Sequence, residues 1–259
     1  MTLELRNPHS ILAVFETRPE DVLELSLGAG RLNAAWSRVQ DQARRYNVAQ
    51  LVPQNRGGGR RTRSAASSAS GRSGAGLAVV RPRLSRKLDE LFDDQPPPLP
   101  SGLWLALDCL QDPHNVGAIF RSAAFFGVRG IVVSKDRSAP LNATVYDVAA
   151  GGLEHVPFAL VPNLARALKQ SKKRGAWLLG TSEHADVDVT EIDRDRAWMI
   201  AVGNEETGLR RLTRDHCDQV CRISPRGSVT SLNVSVATGC LVSLLSTDVA
   251  GARPARGTE

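Results

Sequence analysis

Six short apolar runs separated by helical patterns constrain this chain more than any other feature of its sequence. The runs fall at 103–108, 130–134, 156–161, 176–180, 198–202 and 219–223. The first, Leu103-Trp104-Leu105-Ala106-Leu107, is apolar throughout, as a strand buried on both faces must be. The spacing of apolar residues predicts helices at 116–126, 142–153, 164–173, 209–217 and 232–248. Strands and helices in alternation imply an α/β fold, a parallel sheet with helices on both faces and right-handed crossovers. Sheets of this kind bind ligands at the carboxyl ends of their strands.

Three turns at such strand ends carry unusual residues. The first is Asp112-Pro113-His114-Asn115-Val116-Gly117-Ala118-Ile119-Phe120-Arg121-Ser122-Ala123. Pro113 and Asn115 mark a turn that opens a helix, with Asn115 placed as its N-cap. Val116, Ile119, Phe120 and Ala123 share one helical face, Arg121 projects away from it, and Gly127 stops the helix. The stretch reads either as a polar site presenting Asn115 and Arg121 or as an ordinary helix with a solvated arginine. The second turn, Gly203-Asn204-Glu205-Glu206-Thr207-Gly208, places Glu205 between glycines that allow close backbone approach. It reads equally as a glycine-punctuated loop with solvated acids. The third runs from Ile223 to Ser235. It puts Ser231 at a helix N-cap and Asn233 in the first turn, where free N–H groups favour an anionic or carbonyl-rich ligand. The plainer reading is a capped helix.

Several function classes have no support. The glycines do not form G-x-G-x-x-G or a P-loop, so nicotinamide chemistry and nucleotide hydrolysis are not indicated. There is no evident nucleophile–base pair, and His114 reads as a turn residue. Cys217 and Cys221 lack a second Cys or His pair at metal spacing, so the expectation for Cys109, Cys217, Cys221 and Cys240 is buried reduced thiols and no metal. The start, Met-Thr-Leu-Glu-Leu-Arg, lacks the basic-then-apolar pattern of a signal peptide, and no apolar run approaches membrane-spanning length. The expected location is the cytoplasm, with no membrane partner.

Residues 1–53 show a smaller α/β pattern: a helix near 8–15, a strand at 22–27, a helix at 33–46 and a strand at 48–52. From 51 to 88 there is no acidic residue but nine basic ones, in a chain whose net charge is +6. The Gly-, Ser- and Arg-rich segment 57–76 has too few apolar groups to offset its ordering entropy, which predicts a flexible loop. Its Arg60, Arg61, Arg63 and Arg72 suit phosphate contact by counterion release, or serve solubility alone. A strand at 76–80 completes this unit, 87–92 reads as a short helix, and Pro96-Pro97-Pro98-Leu99-Pro100 reads as a stiff linker. The predicted organisation is a first domain at 1–85, a linker at 86–101, a second domain at 102–249 and a tail at 250–259.

Taken together and in order, the three turns resemble the three motifs of the SpoU (TrmH) branch of the SPOUT RNA methyltransferases, along about residues 102–248. Ser231-Leu232-Asn233-Val234-Ser235-Val236-Ala237 matches the third motif nearly letter for letter. Lys135-Asp136-Arg137-Ser138-Ala139 and Leu141-Asn142-Ala143-Thr144 are similar to the subgroup that methylates guanosine 2′-hydroxyls of bacterial 23S rRNA. Residues 7–16 and 76–80 resemble, more weakly, that subgroup's ribosomal-protein-like RNA-binding domain. Segment 57–76 is not part of its usual pattern.

The resemblance implies a SPOUT-type sheet with a trefoil knot towards its C-terminal end, a homodimer, and S-adenosylmethionine as methyl donor. It assigns Arg121 to activation of the ribose hydroxyl. A guanidinium stays protonated, so Arg121 either binds the neighbouring phosphate and stabilises the developing alkoxide, or loses its proton with phosphate assistance. Asn115 would position the hydroxyl or the phosphate. Glu205 would fix Asn115 or Arg121, and Ser231 and Asn233 would complete the polar wall. Gly203, Ile223, Leu232, Gly208 and, more weakly, Thr181 would hold the cofactor. Two other readings stay open: the same chemistry on tRNA, and a non-catalytic RNA-binding protein on the same fold.

Overall fold

The structure is a computed structural model that describes residues 1–28, 30–51, 76–93, 99 and 101–246. In chain order the smaller unit comprises β1 (Leu3–Leu5), α1 (Pro8–Thr17), β2 (Val22–Leu27), α2 (Ala34–Arg45), β3 (Ala49–Leu51) and β4 (Gly76–Val80). Its sheet has the order β1-β4-β2-β3. β4 runs antiparallel to both neighbours, and β2 and β3 run parallel. Asn7 and Asn33 cap the two helices, each accepting a backbone N–H.

The larger unit follows as β5 (Gly102–Leu107), α3 (Pro113–Phe125), β6 (Gly130–Ser134), α4 (Ala143–Ala149), α5 (Gly152–His155), β7 (Phe158–Val161), α6 (Leu164–Lys173), β8 (Trp177–Thr181), β9 (Val187–Asp188), β10 (Ala197–Val202), α7 (Arg211–Arg214), β11 (Gln219–Arg222) and α8 (Val234–Leu245). All six predicted strands are present, with β9 as an added edge. The sheet is parallel throughout, in the order β7-β6-β5-β10-β8-β11-β9. β10 therefore inserts between two strands laid down before it, and β11 does the same.

Three predicted helices are corrected. The helix expected at 142–153 breaks at Ala150 and Gly151, whose φ values are 48° and 98°. A Cβ on Gly151 would meet the Ala13 Cβ at 2.9 Å, and one on Gly152 would meet the Phe120 carbonyl oxygen at 2.5 Å. The close approach of α1 and α3 thus takes precedence over the local helical pattern. The helix expected at 209–217 shrinks to α7, because Leu209 is buried and Arg210 is extended. The helix expected at 87–92 is a single 3-10 turn at Asp89–Leu91.

The two units share one hydrophobic cluster that runs from Leu5 and Trp36 to Phe120 and Ile200. Polar groups tie the seam. Arg18 donates through Nε and Nη2 to Glu154, at 2.9 and 2.7 Å, and through Nη1 to Asp21 and the Arg81 carbonyl. The Asp147 carboxylate accepts the N–H groups of Arg6 and Asn7, and Ser10 Oγ donates to the Tyr146 carbonyl. On the opposite face of the large sheet, Leu91 and Phe92 pack with Trp104 and Met199. Residues 86–93 of the predicted linker are thus laid against the body. The remainder of that stretch outside 99 and 101, the tail beyond 246, and Arg60, Arg61, Arg63 and Arg72 of the basic loop lie outside the described residues.

Candidate active site

β5 delivers the chain to Asp108 and Cys109, and α3 begins after Asp112. Asp112, not Asn115, is the N-cap: its carboxylate accepts the His114 N–H at 2.8 Å, with Pro113 in the first helical position. Proline is pre-set for that position, so the helix starts three residues earlier than the sequence pattern suggested. The shift frees the Asn115 side chain. Asn115 is buried, and its Nδ2 donates to Glu205 Oε1 at 2.8 Å while its Oδ1 accepts from Asn233 Nδ2 at 2.9 Å. One amide thereby joins all three motifs.

Asn233 in turn caps α8. Its Oδ1 accepts the N–H groups of Ser235 and Val236. This corrects the placement of the cap at Ser231, which lies exposed on the wall of the cleft and makes no hydrogen bond among the described residues. An Asn cap leaves its Nδ2 free to donate elsewhere, whereas a serine cap offers a single hydroxyl.

Glu205 sits at the tip of a tight hairpin. Asn204 and Gly208 exchange backbone hydrogen bonds at 3.1 and 2.9 Å. Gly208 has φ 67°, and a Cβ on Gly203 would lie 2.2 Å from the Gly208 carbonyl carbon. Asn204 has no mark in the sequence beyond its place between Gly203 and Glu205. Its side chain nonetheless donates to the Cys109 carbonyl and to Glu205, and accepts the Glu206 N–H.

The hairpin walls a cleft of about 820 Å³. Gly203, Glu205, Gly208, Thr181, Ile223, Ser231, Leu232 and Asn233 all line it. Val202 and Leu241 supply a buried apolar floor. Thr181 spends its hydroxyl proton on the Ala201 carbonyl, at 3.1 Å, and so braces β8 against β10. On the far wall the Ser224 N–H donates to Asp188, and hydrogen bonds from Ser224 and Thr190 hold that carboxyl well below the usual carboxylate range.

Two predicted site residues do not line the cleft: Asn115, buried behind Glu205 and Asn233, and Arg121. The Arg121 side chain is exposed and has no hydrogen-bond or ion-pair partner among the described residues. It lies six residues beyond Asn115, about 9 Å along the axis and on another helical face. The four cysteines are free; Cys109 and Cys221 are buried, and Cys217 and Cys240 are partly so. Among the described residues no group of three or more His, Cys, Asp or Glu is arranged to hold a metal ion. None of the described helices is long and apolar enough to cross a membrane.

The signature of the SpoU rRNA Methylase family matches residues 102–243, which hold every element of this cleft. The chain belongs to that family. A relative from Xanthomonas axonopodis pv. citri, named 23S rRNA (guanosine-2′-O-)-methyltransferase RlmB, is 36% identical over 236 residues, 89% of this chain and 90% of that protein. A protein of the same name from Pseudomonas aeruginosa is 49% identical over 144 residues. That match spans 55% of this chain and 58% of the relative, less than two thirds of its length. The SpoU methyltransferase AviRb from Streptomyces viridochromogenes, solved with the cofactor AdoMet, superposes with a TM-score of 0.73 at 22% identity, over 95% of this chain and 89% of that one. That likeness supports the SpoU fold, an α/β architecture on the parallel seven-stranded sheet.

Proposed function

We propose that this chain transfers a methyl group from S-adenosylmethionine to the 2′-hydroxyl of a guanosine in 23S rRNA. The observation that carries the reading is the Glu205–Asn115–Asn233 chain of hydrogen bonds at the edge of the cleft. It sets the three family motifs into one polar surface, and two relatives that match this chain are named for this reaction.

The residues present fit the methyl donor. The cleft is within the usual size of small-molecule sites, and it combines backbone groups at Gly203 and Gly208 with apolar contact from Ile223 and Leu232. S-adenosylmethionine supplies an electrophilic methyl on a sulfonium sulfur when bound. The protein's task is to align a weak nucleophile with it and to ease loss of the hydroxyl proton. Asn115 is held at both ends and orients the ribose or its phosphate. Glu205 fixes Asn115, and the exposed Ser231 hydroxyl is available to RNA.

Arg121 supplies positive charge to the developing alkoxide and the adjacent phosphate. It stands outside its own cleft, so we assign it to the cleft of a second copy in a homodimer. Phe125, one turn further along the same face of α3, is exposed, as is Val236 on α8, which packs against α3. The insertion of β10 and β11 between earlier strands supports a knotted path through 203–233. We take 1–85 as the RNA-binding unit, 102–249 as the methyltransferase unit, Arg60, Arg61, Arg63 and Arg72 as phosphate contacts, and the cytoplasm as the place of action.

The test uses purified protein, labelled S-adenosylmethionine, and unmodified 23S rRNA or tRNA, followed by digestion to nucleosides and identification by mass. Label in 2′-O-methylguanosine from 23S rRNA is the expected result. Label in tRNA moves the target, and no label from either RNA overturns the reading.

A further inference from the structure

Asp108 follows directly on the central strand β5, at its carboxyl end, and its side chain is wholly buried. A carboxylate removed from water needs compensating donors. Here both come from one residue at the far end of the Glu205 hairpin. Arg210 donates through Nε to Asp108 Oδ1 at 2.6 Å and through its backbone N–H to Oδ2 at 3.1 Å. The Asp108 N–H donates to the Val202 carbonyl at 2.8 Å, just before the hairpin begins.

The next residue adds a second tie. Cys109 has φ 60°, a left-handed conformation uncommon for a residue with a Cβ, and its carbonyl accepts Asn204 Nδ2 at 3.0 Å. The hairpin is thus held at both its start and its end by two adjacent residues of the β5–α3 turn. The same turn leads into α3 and Asn115. Only the tip contact, Glu205 with Asn115, belongs to the polar surface assigned above.

We propose that Asp108 is a positioning residue. Through Arg210 it seats the 203–210 hairpin against the β5–α3 turn, so that Glu205 reaches Asn115 and the backbone of Gly203 and Gly208 faces the cleft. The function assigned to this clamp rests on the methyl-transfer reading, but the clamp itself is a property of the unliganded chain and can be measured there. A planar guanidinium donating to a carboxylate fixes direction as well as distance, which a lysine in place of Arg210 would not do.

The experiment uses the full chain and the variants Arg210→Met, Arg210→Lys and the double variant Asp108→Asn/Arg210→Met. Arg210 is surface-exposed, so its replacement removes no core side chain, but it leaves the Asp108 carboxylate buried without its side-chain donor, a cost that the double variant relieves. Three quantities are read: amide hydrogen exchange across 203–210 without ligand, S-adenosylmethionine affinity by calorimetry, and kcat against KM for RNA.

In Arg210→Met, exchange at Asn204 and Gly208 is expected to rise about tenfold or more while strands β5 and β10 keep their protection. Cofactor affinity and kcat fall with it, and KM for RNA holds. Arg210→Lys lies between Arg210→Met and the parent. The double variant exchanges more slowly than Arg210→Met, because a buried carboxamide needs no charged partner.

The proposal is overturned if exchange across 203–210 is unchanged in Arg210→Met, or if KM for RNA alone rises, which would place Arg210 on the substrate. It is also overturned if the double variant exchanges faster than Arg210→Met, since losses that add would show the two residues to act independently. A parent protein that neither binds the cofactor nor methylates RNA defeats the function reading, while the exchange measurement still tests the clamp.

Discussion

Two regions of this molecule use the same residue types to opposite ends. At the seam between the units, Arg18 donates to two carboxylates and a carbonyl, and Glu154 beneath it is almost completely buried. At the cleft, Glu205 and Asn233 are exposed, and Ser231 has no partner among the described residues. Arg121, on the outer side of α3, donates to none of them either. A polar group that spends its donors inside the fold serves the fold. One that keeps them is open to a ligand. Asn115 stands between these cases, since it is buried but reaches only the two residues that flank the cleft.

The sharpest way to break this contrast is to remove one arginine from each region. Arg18→Ala leaves Glu154 buried without its main donor. It should cost about 3–5 kcal/mol in urea unfolding, the usual result of breaking a buried pair. Methyl transfer by the fraction that stays folded should be nearly unchanged. Arg121→Ala should do the reverse, lowering kcat on the order of 100- to 1000-fold with an unchanged unfolding midpoint and cofactor affinity. A stable Arg18→Ala variant or an active Arg121→Ala variant would erase the distinction between the two regions.

Asn115→Ala sharpens the intermediate case. Loss of the charge-assisted hydrogen bond to Glu205 and the neutral one from Asn233 should lower kcat roughly 10- to 100-fold and shift stability by about 1–3 kcal/mol. A large loss of stability with retained kcat would assign Asn115 to the core.

The smallest effect on activity is in pH. Burial pushes the thiols of Cys217 and Cys221 up to about 11 and about 12, and the Tyr146 hydroxyl at the seam up to about 12. In the unfolded chain these groups return to their ordinary values near 9 and 10 and lose protons first. Stability is therefore full below about pH 9 and falls as pH rises towards 12, by about 3 kcal/mol at pH 10. Urea midpoints at pH 8 and 10 measure the slope. Cys221→Ala should flatten it more than Tyr146→Phe, because the thiol begins to titrate lower.

Much of the fold was legible because its signals are local. Pro113 marks a turn within one residue of a helix start, and the helices expected from 8 and 33 begin at Pro8 and Ala34. Runs such as 103–107 and 198–202 are apolar in a way only covered strands need. The failures came where a distant contact outweighed a local preference. Ala150 and Gly151 leave the helix because α1 and α3 press against that point. Arg210 is drawn out of helix by Asp108, 102 residues away.

The sequence by itself determined the alternation of strand and helix, the parallel sheet that follows from it, and the three polar turns at strand ends. Each of these depends on residues within a few positions of one another. Tertiary structure decided which residue caps α8, that Asn115 joins Glu205 and Asn233 across separations of 90 and 118 residues, and that Arg18 is spent while Arg121 is not. Periodicity and capping preference encode what a residue does to its own backbone. They do not say which side chain from elsewhere in the chain will stand within hydrogen-bonding reach of it, and at this cleft that proximity determines the chemistry.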